Sequence, residues 1–283
     1  ELKLLRWYGA MANLTSINLS TNGWVNVDGY WWRWEDSAAD PPRFGNTSAA
    51  VTQGAFHDGY LSALSRRTWR GERMSVALIA RPTTGRYSSK AYPSGRLPFL
   101  ETAGYDVWIG KNGPVRAFAV DVEGRKVWHA PMDKREFRPK TRSWNPLALP
   151  VELKAPGDLR VTPTGDLFVV DGASIRFFKR NSEGDYEHAW QLKSWAKGSA
   201  DRFGDSIRIA HDGRALLVAD TTRHRVLWFN SRTREFLAQL GETDAPGNDS
   251  RYLNRPGAIS LAGRRLVVAD QNNQRIMKCE LIP

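Results

Sequence analysis

The stretch that decides the fold is RPGAISLAGRRLVVADQNNQRI, residues 255–276. It contains a short apolar segment, a glycine turn, a valine-rich segment ending in Asp270, a polar turn, and Arg275 at the start of a third segment. Short apolar runs bounded by Gly and Asn are typical of antiparallel β-strands. The stretch therefore predicts three consecutive strands of one sheet.

The same pattern occurs along the whole chain, with an anchor residue that ends the second strand and a basic residue five positions later. The anchors are Asp28, Arg81, Asp121, Asp171, Asp220 and Asp270, and their basic residues are Arg33, Arg86, Lys126, Arg176, Arg225 and Arg275. The later anchors are about 50 residues apart, and a period of that size with several strands per unit is typical of a β-propeller. Six anchors predict six blades in a single domain, residues 1–283.

The Asp and Arg of each copy have a simple physical interpretation. Charge-assisted hydrogen bonds between an Asp that ends the second strand and an Arg that begins the third would stabilise the turn between them. Every blade needs such a turn whatever the protein does. We therefore interpret the pairs as structural.

These residues carry a family resemblance. The pattern Val-Ala-Asp-x-x-x-x-Arg-Val/Ile at 216–226 and 266–276 resembles the NHL repeat, and residues 168–177 follow it with two changes. The resemblance implies an all-β, six-bladed β-propeller. NHL propellers include extracellular lyases, scaffold modules and RNA-binding domains, so the resemblance implies a fold more firmly than a function.

The two ends of the chain are expected to complete one blade. Residues 2–8 are rich in apolar side chains and resemble the outer strands at 187–192 and 235–240, whereas the last repeat stops after its third strand, 275–281. We expect the N-terminal strand to become the outer strand of the last blade. Closure of this kind leaves the ring without a free end.

Aromatic residues recur in the third strand of the repeats, at 30–34, 127–129, 177–178 and 227–229. Recurrence at one blade position favours packing between neighbouring blades. A platform for stacking carbohydrate is the alternative interpretation.

The chain is strongly basic, with a net charge of +11 and a pI near 9.9. Such a field favours acidic partners. An anionic polysaccharide or an acidic protein is favoured over RNA. Dispersed arginines that protect blade edges are the alternative. We expect partner contacts in two basic segments, 66–73 in the first hairpin of blade two and 132–146 in blade three, through Arg66, Arg67, Arg70, Arg135, Arg138 and Lys140.

Other features bound the class of protein. No run of 18 apolar residues is present, which predicts no transmembrane helix, and Cys279 is the only cysteine, so no intrachain disulfide can form. The chain begins at Glu1, as a mature secreted form or a segment of a longer protein would. An extracellular or periplasmic location is favoured, although the sequence does not fix the compartment.

The beginnings of the innermost strands are expected to surround a funnel. The residues predicted there are His57, Asp58, Tyr105, Asp106, Asp158, Asp205 and Arg255. Clustered carboxylates can hold Ca²⁺ or share a raised pKa for acid–base chemistry. The structural alternative is that each Asp caps backbone N–H groups or pairs with an arginine.

No catalytic motif is recognisable. The five histidines have no zinc-binding spacing, and the histidine-held metal expected of amidating NHL lyases cannot be matched here. No nucleophile elbow or phosphate-binding loop is present.

The leading hypothesis is a binding or scaffold propeller for an acidic or polar partner. A lyase or hydrolase acting on a sugar or small ester, with Ca²⁺ as a conceivable cofactor, is second, and an RNA-binding domain is third.

Overall fold

The structure is a computed structural model that describes most of the chain. The described residues are 2–8, 17–21, 23–27, 30–34, 50–57, 60–69, 72–81, 88–92, 97, 99, 102–111, 115–133, 138–139, 143–196, 198 and 201–282. Side chains are described for 17–21, 23, 25, 34, 62 and, apart from 138–139, for the described residues from 97 onward. For the remaining strands we describe the backbone alone.

The described backbone consists almost entirely of strands. In chain order they are β1 (Leu2–Tyr8), β2 (Ile17–Leu19), β3 (Trp24–Val27), β4 (Tyr30–Arg33), β5 (Ala50–His57), β6 (Tyr60–Trp69), β7 (Glu72–Arg81), β8 (Ser88–Tyr92), β9 (Thr102–Ile109), β10 (Val115–Asp121), β11 (Lys126–Asp133), β12 (Arg138–Pro139), β13 (Asn145–Pro146), β14 (Pro156–Val161), β15 (Leu167–Asp171), β16 (Ile175–Arg180), β17 (Tyr186–Leu192), β18 (Ile207–His211), β19 (Ala215–Asp220), β20 (Arg225–Asn230), β21 (Phe236–Leu240), β22 (Pro256–Ala262), β23 (Arg265–Asp270) and β24 (Arg275–Leu281).

These strands form antiparallel sheets that stand around a common axis. In the described backbone the sheets are β2–β4, β5–β8, β9–β13, β14–β17, β18–β21, and β22–β24 with β1. The first strand of each sheet contacts the first strand of the next, and β22 contacts β2. This arrangement is a β-propeller, which confirms the all-β propeller prediction. In the last sheet β1 pairs antiparallel with β24, with Leu2 opposite Leu281 and Tyr8 opposite Ile276.

Two names are useful for the ends of this ring. The entry end is where each innermost strand begins, and the hairpin end is where it turns into the second strand. The described anchor Asp residues therefore lie at the entry end, as shown by the pairing of Asp171 with Pro156 and of Asp220 with Ile207.

The second strands form the core. Every residue of β15 and of β19 is buried, and side chains on both faces pack against neighbouring blades. Leu217 packs with Ile259 and Val268 of the next blade, whereas Val218 packs with Phe168 of the preceding one. Burial on both faces explains why these strands are continuous apolar runs in the sequence instead of alternating ones.

The aromatic residues of the third strands pack within and between blades. Phe177 lies 4.7 Å from the ring of Phe168 and stacks on Trp190 at 5.1 Å. Phe229 is fully buried in the cluster shared by the blades of β14–β17 and β18–β21. These contacts support the packing interpretation for the described third strands.

The Asp–Arg pairs form as predicted wherever both side chains are described and the repeat keeps Arg. The Nε–Oδ2 distance is 2.7 Å for Arg176–Asp171 and for Arg275–Asp270. In the third pair, Nη2 of Arg225 lies 3.0 Å from Oδ2 of Asp220, and both side chains are almost completely buried. The structural interpretation of these pairs is confirmed.

Each pair also holds the loop that leads into its blade. The second carboxylate oxygen accepts a backbone N–H from that loop, at 2.7 Å from Ala155 to Asp171, 3.1 Å from Gly204 to Asp220 and 2.6 Å from Asn254 to Asp270. Arg275 extends the contact, since its Nη2 donates to the carbonyls of Asp249 and Tyr252 at 2.8 and 2.7 Å. We call this unit of Asp, Arg and entry loop the clamp.

Blade three uses a different partner for its anchor. Asp121 accepts from Trp128 Nε1 at 3.2 Å and from the backbone N–H of Gly124 at 3.0 Å, while Lys126 is exposed. An indole N–H thus replaces the ammonium group of Lys126 that the repeat predicts as the partner of Asp121. Asp28 of the first repeat lies outside the described residues.

Blade two corrects the predicted register. Arg81 ends β7, the third strand, and not the second, so His57 ends the innermost strand β5 instead of beginning it. The basic segment 66–73 accordingly spans the hairpin between β6 and β7, not the first hairpin. The apolar run of the third strand β7 resembles that of a second strand, so the sequence pattern assigns blade two one strand out of register.

No helix in the described part of the chain has both the length and the apolar character needed to span a membrane.

The clamp generates a stability prediction. Replacement of Asp220 by Ala leaves the buried guanidinium of Arg225 without its carboxylate, and we expect the free energy of unfolding to fall by about 3–5 kcal/mol. The control is Asp244→Ala, which removes the bidentate pair with Arg223 at a site where Asp244 is 59% exposed, and which should cost about 0.2–1 kcal/mol. Denaturant unfolding of both variants measures the difference, and equal losses would contradict the role assigned to the clamp.

Candidate functional site

A cavity of about 440 Å³ lies at the hairpin end of the ring. Residues of β2, β9, β14, β18 and β22, or of the turns that follow them, line it. Its polar members include Ser20, Asp106, Arg160, Thr162, His211 and Asp212. We call this cavity the axial pocket, because its walls come from innermost strands of successive blades.

Equivalent positions of the repeat form one level of the pocket wall. Each pairs with the residue three positions before the anchor of its own blade. The described members are Leu19, Asp106, Arg160, Ala210 and Ser260, opposite Val25, Phe118, Phe168, Leu217 and Val267. The second-strand residues of these pairs are all apolar, whereas the innermost-strand residues differ in size, charge and polarity. The repeat therefore conserves an apolar residue on the second strand and allows the pocket residue opposite it to vary.

Two carboxylates, Asp106 on this wall and Asp158 behind it, join neighbouring blades. Asp106 accepts the backbone N–H of Val107 through Oδ1 and that of Val161, in the next blade, through Oδ2, both at 2.8 Å. Asp158 does the same one blade further, with Leu159 at 2.8 Å and Ile209 at 2.9 Å. Innermost strands are sheet edges with unpaired N–H groups, and these carboxylates satisfy them.

Other side chains perform the same task at other junctions. Ser260 Oγ accepts the N–H of Leu19 at 2.9 Å, across the junction between the last and first blades. The guanidinium of Arg208 donates to the carbonyl of Gly157 in the preceding blade. Several polar residues around the axis thus have a structural role in addition to any ligand contact.

Charge in the wall is largely compensated. Arg160 Nη1 donates to the carbonyl of Leu159 at 2.7 Å and lies 3.3 Å from Oδ1 of Asp158. Burial raises the pKa of Asp106, while the charge of Arg160 and the two backbone N–H bonds act in the opposite direction. The guanidinium of Arg160 therefore contacts one carboxylate, that of Asp158, and lies close to a second, that of Asp106.

His211 is held as a neutral hydrogen-bonding group. Burial lowers its pKa to about 4, and its ring packs 4.7 Å from that of Phe168. Its Nδ1 lies 3.2 Å from the backbone N of Gly213. A backbone N–H can only donate, so Nδ1 is the acceptor and the imidazole proton resides on Nε2. His211 thus offers an N–H donor and not a base at that atom.

The turns at the rim are rigidified by their own side chains. Thr164 Oγ1 donates to Asp166 Oδ2 at 2.6 Å and lies 2.8 Å from Thr162 Oγ1. Asp212 is exposed, and its Oδ1 accepts the N–H groups of Arg214 and Ala215 at 3.0 and 2.9 Å. These internal hydrogen bonds preorganise the rim of the pocket.

The predicted funnel residues do not share one mouth. Asp205 and Arg255 are exposed at the entry end, where Arg255 N donates to Nδ1 of His224 at 3.2 Å. Asp106 lines the pocket at the hairpin end, and Asp158 lies beside it behind Arg160.

The remaining funnel residues have other places. Tyr105 is fully buried away from the axis, where its hydroxyl lies 2.7 Å from Ser62 Oγ of β6. His57 ends β5 at the hairpin end, its side chain is not described, and Asp58 lies outside the described residues. Sequence reasoning missed four pocket residues: Arg160, His211, Asp212 and Ser260. Two of them could have been found from the repeat, because Arg160 and Ser260 pair with the residues three positions before the anchors Asp171 and Asp270.

The predicted partner-binding residues fall mainly where side chains are not described. Arg66 and Arg67 lie within β6, and Arg138 lies in β12, which pairs with β11. Arg70, Arg135 and Lys140 lie outside the described residues. The segment 132–146 returns to its own blade, because β13 also pairs with β11.

Within the described residues, no group of three or more His, Cys, Asp or Glu side chains could hold a metal ion. The carboxylates of Asp106 and Asp158 instead accept backbone N–H groups. This is the structural alternative considered for them.

Comparison with known proteins identifies the fold alone. No protein-family model matches the chain, and no curated protein matches it. Among solved structures, an auxiliary nutrient binding protein from Bacteroides thetaiotaomicron has a TM-score of 0.64 at 12% identity, covering 98% of this chain and 75% of that one. The propeller of a nidogen/laminin complex gives 0.58 at 14%, covering 99% and 90%, and virginiamycin B lyase from Staphylococcus aureus gives 0.56 at 13%, covering all of both chains.

The burial of His211 generates a pH prediction. Its pKa falls from 6.5 in the unfolded chain to about 4 in the folded one, so below pH 6.5 the unfolded state binds the proton first. The folded state should lose about 3 kcal/mol of stability between pH 7 and pH 4 from this group. Unfolding curves of the wild-type protein and of His211→Gln across this range isolate the effect. Parallel pH profiles would contradict the burial of a neutral imidazole.

Proposed function

We propose that this protein is a binding propeller that engages a polar or acidic partner and does not catalyse a reaction. The chain is proposed to form one domain, residues 1–283, of six NHL-like blades. The pairing of β1 with β24 and the contact of β22 with β2 support a ring closed by the N-terminal strand.

The axial pocket is the observation that carries this proposal. It collects hydroxyl, carboxylate, guanidinium and imidazole groups from innermost strands at one end of the ring. Its volume of about 440 Å³ falls within the range of roughly 300–1,000 Å³ that holds small ligands. A pocket of this kind can bind a small polar molecule or the polar end of a larger partner.

The chemistry of the pocket favours binding over lyase or hydrolase activity. A general base needs an acceptor atom able to take a proton from the substrate. Both carboxylate oxygens of Asp106 and of Asp158 already accept an N–H group, and His211 carries its proton on Nε2 because Nδ1 is occupied. The comparison propellers include both a lyase and a nutrient-binding protein, so the fold does not decide between these roles.

The basic segments supply the second part of the proposal. A net charge of +11 attracts an anionic polysaccharide or an acidic protein over long distances, and segments 66–73 and 132–146 concentrate that charge. RNA would use the same charge but would also require aromatic residues continuous with it on one face.

Salt dependence tests the acidic partner. We expect heparin, used as a polyanionic probe, to bind with an affinity that falls steeply with added salt. Reversal of Arg135, Arg138 and Lys140 to Glu should weaken it by about tenfold or more. The control reverses Lys193, Arg214 and Arg232, which are exposed elsewhere and give the same change in net charge. Equal losses in both variants, or salt-insensitive binding, would count against a specific basic site.

Obstruction tests the axial pocket. Thr21 is exposed at the pocket rim, so Thr21→Trp should fill the opening without entering the core. In a ligand-observed NMR screen of small polar compounds, we expect at least one compound to lose binding in this variant and to keep it in Thr233→Trp, an exposed turn threonine outside the pocket. If no compound responds to Thr21→Trp, or if a bound compound is turned over, the proposed function is wrong.

A further inference from the structure

We infer that the axial pocket accepts an uncharged, hydroxyl-rich group, that is, the end of a neutral sugar. This inference rests on the proposed binding function and narrows it. It concerns the pocket, whereas an acidic partner would be bound through the basic segments.

The charges of the wall disfavour ionic ligands of either sign. Among the lining residues that the structure describes, the single arginine is Arg160, which already bonds Asp158 and lies near Asp106, and Asp212 adds a further carboxylate at the rim. An anion would therefore meet more carboxylates than cations, because His211 is neutral above pH 4. A cation would have to approach the guanidinium of Arg160 and would find the oxygens of Asp106 occupied by N–H groups.

The hydrogen-bonding groups match hydroxyls, which both donate and accept. The hydroxyls of Ser20, Thr21 and Ser260 lie around the pocket together with His211, whose Nε2–H is a donor. Asp212 offers its second carboxylate oxygen, Oδ2, as an acceptor, because both N–H groups of the turn bond Oδ1, whereas each oxygen of Asp106 already accepts an N–H group. A hydroxylated ring satisfies such a mixture without bringing a charge.

The pocket also offers apolar surface for the C–H faces of a sugar. Val107, Val161 and Leu261 line it between the polar groups. Trp108 forms part of the wall, with its Nε1 donating to the carbonyl of Pro163 at 3.1 Å and the guanidinium of Arg180 lying 4.9 Å from its ring centroid. Trp108 is thereby fixed in position. The combination of polar groups and apolar surface in the axial pocket therefore matches a sugar ring, which has both hydroxyl groups and C–H faces, better than it matches an ion.

A panel of related sugars tests the preference for neutral ligands. The probes are glucose and N-acetylglucosamine as neutral members, glucuronate as the acid and glucosamine as the amine, measured by saturation-transfer NMR and calorimetry at one ionic strength. We expect a neutral member to bind at least tenfold more tightly than both charged ones, and to be lost in Thr21→Trp. A charged member that binds as tightly as, or more tightly than, the neutral ones would overturn the inference.

Matched carboxylate variants test the contact itself. Asp212→Asn keeps the turn, because the amide oxygen can still accept both N–H groups, but it weakens the acceptor offered to a hydroxyl. We expect about tenfold weaker binding of the neutral sugar. Asp249→Asn is the control: Oδ1 of Asp249 also accepts the N–H groups two and three positions on, at 2.7 and 3.2 Å, outside the pocket. Equal affinity of both variants and the wild type would overturn the inference.

The two proposals fail in different ways. If no sugar of the panel binds while another polar compound remains sensitive to Thr21→Trp, the sugar assignment is wrong and the binding function stands. If nothing is sensitive to Thr21→Trp, the binding function itself fails and the assignment fails with it.

Discussion

The structure depends on a buried ion pair that does more than close a turn. Asp220 and Arg225, and the equivalent pairs of the neighbouring repeats, connect the second strand, the third strand and the loop that enters the blade. A buried pair of this kind adds little net stability over an apolar contact, but the loss of one partner is costly. Its value is therefore positional, because it fixes where each innermost strand begins and hence which residues face the axis.

A second constraint acts at the axis itself. Innermost strands have an unpaired edge, and unpaired buried N–H groups are costly. The chain satisfies them with side chains from adjacent blades, as in the bonds from Val161 to Asp106 and from Ile209 to Asp158. Polar residues near the axis are consequently expected in any propeller of this kind. Only those beyond this structural need, such as His211 and Asp212, point to a ligand.

The repeat predicted the architecture because clamps and buried second strands leave a strong pattern in sequence. It failed in blade two, where the apolar run ending at Arg81 belongs to the third strand, and at Lys126, whose role Trp128 performs from two residues further along the strand. The site was harder to predict. The prediction treats the start of each innermost strand as the mouth. Asp205 and Arg255 lie at the entry end, whereas Asp106, which the same rule groups with them, lines the pocket at the hairpin end. Register relative to the anchor, and not proximity to the strand start, determines the level of the axis on which a residue lies.

The distribution of these interactions explains why ligand chemistry is better placed at the hairpin end. At the entry end, the oxygens of Asp171 and Asp270 and the nitrogens of Arg275 bond the loops that lead into their blades, so a change there disturbs the assembly of the blade. At the hairpin end, the turns that follow β14 and β18 have local hydrogen bonds, from Asp166 to Thr162 and from Ala215 to Asp212. Residues at these turns can differ between blades without affecting the clamps. A ring built from repeated units can therefore still surround a pocket to which the described innermost strands contribute different groups.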